Sequence, residues 1–341
     1  MAQGDRRDPI QWAAEAGTDL YDVASWESRT ALDRFAEWIH RALIASGRAI
    51  LILVAILIVL GQFVITALAS IEDPLVGIYI LLSIVPALLL AFVLWRSDVM
   101  MREPLDTLLV TFLLGFVFAG FAATINSAFH GLFAQFGGVG LVLFFYLIVA
   151  PIEETVKWLA VRVHAFRSDD FDAVIDGAVY GAMAGLGFAA IENSMYITRE
   201  YLQAAGMGTT VLLPSTAQTA AIRSFAGPGH VIYSAFAGYY LGLAKFNPEN
   251  RGPIVVKGLL IAVLIHGTYN ALVSNLGAVL QFAPVLATLP PMLAFIGFVI
   301  VYDGVFFLGL FTKLRRYRRI FDEVGAGAFY REREAAAGEE E

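Results

Sequence analysis

The chain has 341 residues, of which 58% are apolar and 16% charged, with a formal charge of −7 and no cysteine. This balance lacks the basic surface that nucleic-acid binding needs, and the missing cysteine excludes disulfide frameworks, thiol nucleophiles and cysteine-ligated metals. Its charge-free stretches are long enough to cross a hydrocarbon core of about 30 Å repeatedly, which predicts an all-α, polytopic transmembrane helical bundle in the cell membrane.

In chain order, residues 1–48 are polar and read as a cytoplasmic N-terminal segment. Within them "SWESRTALDRFAEWIHRALIASG" sets Leu32, Phe35, Ile39 and Leu43 on one side of a helix, with Arg34, Glu37 and Arg41 largely elsewhere. That pattern predicts an amphipathic helix at the membrane surface or against the bundle. The first apolar segment starts at Ala49, far from the N-terminus and without a cleavage site, and reads as a retained anchor. Spans are predicted near 49–70, 75–95, 107–129, 138–161, 173–198, 224–244, 257–280 and 291–312, about eight in all. Residues 201–222, rich in Thr, Gln, Ser and Gly, read as an outer loop or re-entrant segment. The bundle therefore occupies 49–312, with its chemistry-bearing core at about 138–280, and 313–341 is a basic, then acidic, cytoplasmic tail.

Lys and Arg fall on one side of this drawing, from Arg41 and Arg48 to the "KLRRYRR" run, and only Arg199 and Arg223 fall on the other. The positive-inside rule then puts both termini in the cytoplasm.

Charged groups inside a bilayer cost roughly 2.5 to 3.5 kcal/mol each on insertion scales, so each requires a partner, a hydrated cavity or a function. The spans contain Glu153, Glu154, Lys157, Asp176, Glu192, His230, His266 and Asp303. Glu153 and Lys157 stand four apart with the acid first, the favoured orientation for a helical ion pair. One of the two acids can thus be neutralised by the lysine while the other faces a cavity as general base; spacing does not say which is which, though the ion-pair preference favours Glu154 as the free one. Gly177, Gly181 and Gly185 recur every four residues, a ladder for close helix approach. Glu192 with Asn193 offers a carboxylate and an amide together, and Asp176 reads as a cap or a supporting group. Gly227-Pro228-Gly229 is expected to loosen a helix start before His230, while His266 and Asn270 share one helical face. Two histidines joined by glutamates suit either a metal site or a base-and-oxyanion arrangement. No His-Glu-x-x-His or Gly-x-Ser-x-Gly motif is present. Tyr302-Asp303 lacks the Gly-x-Gly-Asp partner of an aspartyl pair, which makes Asp303 a helix contact.

Four ordered motifs, "EETVK" at Glu153, "DGAVYGAMAGLGFAAIEN" from Asp176 to Asn193, "PGH" ending at His230 and "HGTYN" from His266 to Asn270, resemble the PrsW family of intramembrane proteases. That family is related to the CAAX-protease and bacteriocin-processing superfamily, and the likeness spans residues 145–275. The resemblance implies peptide-bond hydrolysis of a single-span or membrane-anchored protein, as in regulated clipping of an anti-sigma factor. It gives water activation to Glu153 or Glu154, with Lys157 holding the other acid. Glu192, His230 and His266 would orient the water or stabilise the oxyanion, and Asn270 would lend a donor. Glutamic and metallo mechanisms both stay open; if zinc is used, Glu192, His230 and His266 would be its ligands.

Depth arguments cut across this set. At about 1.5 Å per residue, Glu154 lies roughly 12 Å in from Arg162 and Glu192 roughly 10 Å in from Arg199, an offset near 8 Å in upright spans. On geometry alone Glu153, Glu154 and His266 therefore rank above Glu192 and His230. The rival reading is a proton- or ion-coupled transporter, which also strings carboxylates and histidines along a hydrated path.

Overall fold

The computed structural model describes residues 18–22, 24–96, 103–206, 212–282 and 288–324. It falls into two compact units divided after Ile56. In the first unit, Thr30 and Asp33 form a reciprocal cap: the Asp33 amide donates to Thr30 Oγ1 at 3.1 Å and the Thr30 amide donates to Asp33 Oδ2 at 2.6 Å. Tyr21 Oη donates to the same carboxylate. This cap starts α1 (Ala31–Glu72), a helix that carries the predicted amphipathic stretch and the first apolar segment without a break between them. Leu32 and Phe35 of the apolar face are exposed, while the side chain of Leu43 lies outside the described residues.

The second unit contains α2 (Pro74–Trp95), α3 (Leu105–Ala134), α4 (Gly137–Phe144), α5 (Ala150–Val163), α6 (Asp176–Gly206), α7 (Leu212–Lys245), α8 (Arg251–Ser274), the short α9 (Leu276–Leu280) and α10 (Pro291–Glu323). Asp73 caps α2 by accepting from the Leu75 amide at 3.0 Å, and Pro74 suits the first helical position. Among the described residues, six helical stretches are long and apolar enough to cross a membrane: Leu53–Glu72, Pro74–Trp95, Leu105–Ala134, Gly137–Arg167, Pro248–Ser274 and Pro291–Glu323. The chain is thus an all-α multi-pass membrane protein. The two other predicted spans are α6 and α7, whose 31 and 34 residues are long enough but are diluted by the polar groups of the site.

Two sequence expectations are corrected. Residues 212–222 are helical rather than looped, because α7 begins at Leu212. Pro228 consequently lies inside a continuous helix and does not loosen its start. The Pro228 ring removes one helical N–H, a defect that membrane helices tolerate where neighbours re-satisfy the backbone. Helix α10 also runs on through the basic "KLRRYRR" stretch to Glu323, and the acidic end of the tail at 325–341 lies outside the described residues.

The buried centre of this unit is α6, whose small residues let two neighbours reach its backbone. A Cβ added at Gly177, Gly181 or Gly185 would strike the α7 backbone at Gly238, Ser234 and His230 respectively, and one added at Gly187 would strike Phe112 of α3. Glycine is required there by the approach of other backbones, not by its own dihedrals. Gly181→Val should therefore lower stability by about 1 to 3 kcal/mol through overpacking. Thermal unfolding in detergent would show the loss, with Gly131→Ala, whose added Cβ meets nothing within 4 Å, as the unaffected control.

Candidate active site

The glutamate pair is set by an irregular helix. Pro151 cannot donate to the preceding turn, and just before it Phe145–Val149 form a π turn in which the Ala150 amide donates to the Phe145 carbonyl. After that turn α5 directs Glu153, Glu154 and Lys157 inward, and all are buried.

The pairing is the reverse of the helical-spacing expectation. Lys157 Nζ donates to Glu154 Oε1 at 2.7 Å but stands 3.8 Å from Glu153 Oε2. Glu154 Oε1 also accepts from His266 Nδ1 at 2.8 Å. Glu154 is thus the tethered acid and Glu153 the one at the cavity wall. Its Oε1 accepts from Asn126 Nδ2 at 3.0 Å, and its Oε2 has no hydrogen-bond partner among the described residues.

Helices α6, α7 and α8 complete the cluster. Lys157 Nζ donates to His230 Nδ1 at 3.0 Å, and His230 Nε2 meets Glu192 Oε2 at 2.7 Å. These contacts fix both rings. Because a lysine only donates, His230 Nδ1 accepts and its Nε2–H points at Glu192. Because a carboxylate only accepts, His266 Nδ1–H points at Glu154, which leaves the Nε2 lone pair 3.8 Å from Glu153 Oε2. The His230 and His266 rings lie edge to face at 5.4 Å. Phe188 completes the floor, with Lys157 Nζ 4.2 Å from its centroid and the His230 ring at 5.3 Å.

Glu192 therefore joins the same cluster as Glu154, and the predicted offset does not occur. The depth argument took Arg199 as the membrane edge, whereas α6 continues to Gly206 and Arg199 itself lines the cavity. The ranking that set Glu192 and His230 below the other three falls with it.

Sequence reasoning missed Arg223 and Asn126. Arg223 Nη2 donates to Glu192 Oε2 at 2.5 Å and its Nε donates to Asn193 Oδ1 at 2.9 Å. Asn193 Nδ2 in turn donates to the Arg223 and Ser83 carbonyls, each at 3.2 Å. Asn193 thus holds the arginine and not the reacting groups. The available signal was that a lone cation in a charge-free stretch can be a buried ion-pair partner as readily as a loop marker. Asn270 lines the cavity. Asp176 stands apart: it accepts from the Asp172 and Ala173 amides at 2.9 and 2.6 Å, capping the far end of α6, roughly 24 Å along the helix from Glu192. Asp303 accepts from Tyr233 Oη at 2.8 Å, the helix contact expected for it.

The cavity these groups face has a volume of about 450 Å³. Glu153, His230 and His266 each offer it one metal-ligating atom, all within 4.8 Å of one another. Among the described residues this group contains Glu153 where the set expected from the sequence has Glu192. Two of the three donors, Glu153 Oε2 and His266 Nε2, carry no hydrogen bond in the structure, and a His₂Glu set is one that catalytic zinc accepts.

A helical membrane bundle that encloses buried carboxylates and imidazoles around a cavity fits a membrane-embedded enzyme, and on these features alone it fits an ion-coupled transporter as well. Comparison with known proteins makes the class specific: residues 103–302 match the model for the PrsW family of intramembrane metalloproteases. The chain belongs to that family and is an intramembrane peptidase, and the transporter reading lapses. It is 27% identical over 206 residues to Protease PrsW of Shouchella clausii, which covers 60% of this chain and 87% of the relative. Protease PrsW of Bacillus subtilis is 28% identical over 201 residues, covering 57% and 82% of the two chains. Protease PrsW of Geobacillus kaustophilus reaches 34% over a shorter 128 residues, 37% of this chain and 49% of the relative. No solved structure matches the chain.

Proposed function

We propose that the chain hydrolyses a peptide bond of a membrane-anchored protein with Glu153 as the carboxylate at the reacting water. The observation that carries this reading is the unclaimed Glu153 Oε2 at the cavity wall, beside the free His266 Nε2. Glu154 Oε2 is also without a partner among the described residues, but Glu154 does not line the cavity and its Oε1 is held by Lys157 and His266, while Glu192 is held by Arg223 and His230.

In the metal-free form of the reaction, a water in the cavity gives its proton to Glu153 as its oxygen adds to the scissile carbonyl. The same carboxyl then returns the proton to the departing amine, so one group serves as base and acid in turn. Glu154 and Lys157 act through the histidines, holding the two rings in the tautomers described. Asn270 and Arg223 stand at the cavity wall as donors for the developing oxyanion.

The same donors fit a metal. Glu153 and His266 would hold it through their unclaimed atoms, and His230 would join by leaving Glu192 and moving its ring proton to Nδ1, which requires Lys157 to stop donating there; Glu154 behind His266 would be the outer carboxylate that commonly orients a ligating imidazole. Bound zinc would lower the pKa of its water and polarise the carbonyl.

Elemental analysis of the purified protein distinguishes the two forms. One transition-metal ion per chain, lost in a folded His266→Ala variant, would identify the metal form, in which Glu153 is a ligand and not the base. Full peptidase activity after exhaustive chelation, with no metal found, would leave only the metal-free form. Regulated cleavage of a single-span regulator such as an anti-sigma factor, with both termini of the enzyme cytoplasmic, is the setting this reading implies. It is tested by co-expressing tagged single-span proteins and scoring their cleavage.

A further inference from the structure

The catalytic cavity does not end at the catalytic groups. Two further cavities adjoin it, one of about 360 Å³ between the second half of α1 and helices α3 and α6, and one of about 350 Å³ between α1 and α6. Gln62 and Met195 line all three cavities. Ala123 and Ser127 line both the catalytic cavity and the first of the two, and Arg199 lines both the catalytic cavity and the second. We propose that this chain of cavities is the side entrance by which a membrane-spanning polypeptide segment of the substrate reaches Glu153, with the stretch from Leu57 to Glu72 of α1 as its movable wall. The proposal rests on the peptidase reading above and adds the route and the form of the substrate.

The wall chemistry favours a transmembrane segment. Toward the outer surface the path is bounded by Leu57, Ile65 and Leu202, which are more than a third exposed and suit side chains that arrive from lipid. Thr124 and Ser127, exposed like these, and the half-buried Gln62 and Asn126 add hydrogen-bonding groups along the walls. A helix must unwind before a water can reach one of its peptide bonds, and each N–H and C=O so released in an apolar surrounding needs a new partner. Aliphatic walls interspersed with hydroxyls and amides supply such partners along the path.

The movable wall is fastened by hydroxyl contacts. Thr66 Oγ1 lies 3.0 Å from Ser194 Oγ and 3.2 Å from Thr198 Oγ1 of α6, and Gln62 Nε2 donates to Thr66 Oγ1 at 3.0 Å. Such bonds between membrane helices are individually weak. The opposite face of this stretch is given to lipid, with Phe63, Val64 and Leu68 more than half exposed. Gly120 leaves room for Ile58, since a Cβ there would crowd the Ile58 side chain. Held over adjoining cavities by a few hydroxyls and by the packing of Ala69 against Val76 and Ile197, this stretch has few bonds to break in swinging aside.

The natural chain has no cysteine, so a Thr66→Cys, Ser194→Cys pair can lock the latch without background thiols. Two substrates are used: a tagged single-span protein that the wild-type chain cuts, and a short water-soluble peptide covering the same cut. With the disulfide confirmed by mass spectrometry, cleavage of the spanning protein should fall at least tenfold and return on reduction, while peptide hydrolysis stays unchanged. Unimpeded cleavage of the spanning protein by the locked form would overturn the proposal. A second measurement does not depend on that variant folding. A photo-crosslinker placed at Ile65 of Glu153→Gln protein should capture the spanning substrate, whereas one at the lipid-facing Val301 of α10 should not. Equal capture at both positions, or capture at Val301 alone, would also overturn it. Should Glu153→Gln still cleave, the assignment of Glu153 falls while the entrance stands or falls on the capture pattern.

Discussion

Glu153→Gln should reduce cleavage of a co-expressed single-span substrate by about 10²- to 10⁴-fold, the range that loss of a general acid–base group produces, with little change in thermal stability. Glutamine keeps the volume of the side chain and can still accept from Asn126 through its amide oxygen, so the fold loses little. What it cannot do is take a proton at the position of Oε2, the oxygen left unclaimed at the cavity. Comparing single-turnover rates with unfolding midpoints for the same preparation would separate the two effects. A variant that cuts at the wild-type rate would end the assignment. One that fails to fold would show instead that Glu153 is a structural acid.

The largest stability effect is expected at Lys157. Its ammonium is buried and meets Glu154, His230 and the Phe188 face. Lys157→Met leaves Glu154, which has no exposed surface, as a buried charge without its cation. Breaking a buried pair in this way costs about 3 to 5 kcal/mol. Adding Glu154→Gln to Lys157→Met removes the stranded charge and should recover most of that loss, because the expense lies in the orphan and not in the missing attraction. Cleavage should remain impaired in the double variant, since His230 Nδ1 has lost the donor that sets its tautomer. Unfolding midpoints of the wild type, both single variants and the double variant close the cycle. Equal stability of Lys157→Met and wild type would show that Glu154 is neutralised by some other group.

The membrane helices and the ionisable groups that meet at the cavity were legible in the sequence, because an ionisable residue in an apolar span is conspicuous. Glu153, Glu154, Glu192, His230 and His266 do converge, as the motifs implied. Helical spacing misassigned the two glutamates, since the preference for an i,i+4 acid–lysine pair is only about 0.2 to 0.5 kcal/mol. Contacts from α7 and α8 outweigh it: His266 claims Glu154 from one side, and the lysine that also serves His230 is drawn the same way. No inspection of α5 alone contains that information.

Depth was misjudged for a related reason. Arg199 and Arg223 were taken as marks of the outer surface, but both line the cavity, and Arg223 is the cation that balances Glu192. An arginine inside the bundle resembles a loop arginine until its carboxylate partner is located. The glycine ladder, by contrast, was legible from spacing, and the structure shows its result: α6 and α7 approach closely enough to set Glu192 against His230.

The most direct measurement of the central claim is the position of a peptide phosphinate, a stable mimic of the tetrahedral intermediate, in a structure of its complex with this chain. The phosphinate oxygens are expected within hydrogen-bonding or ligand distance of Glu153 Oε2 and His266 Nε2, with Glu154 still held by Lys157 and His266. A phosphinate bound against Glu154, or bound away from both glutamates, would contradict the account.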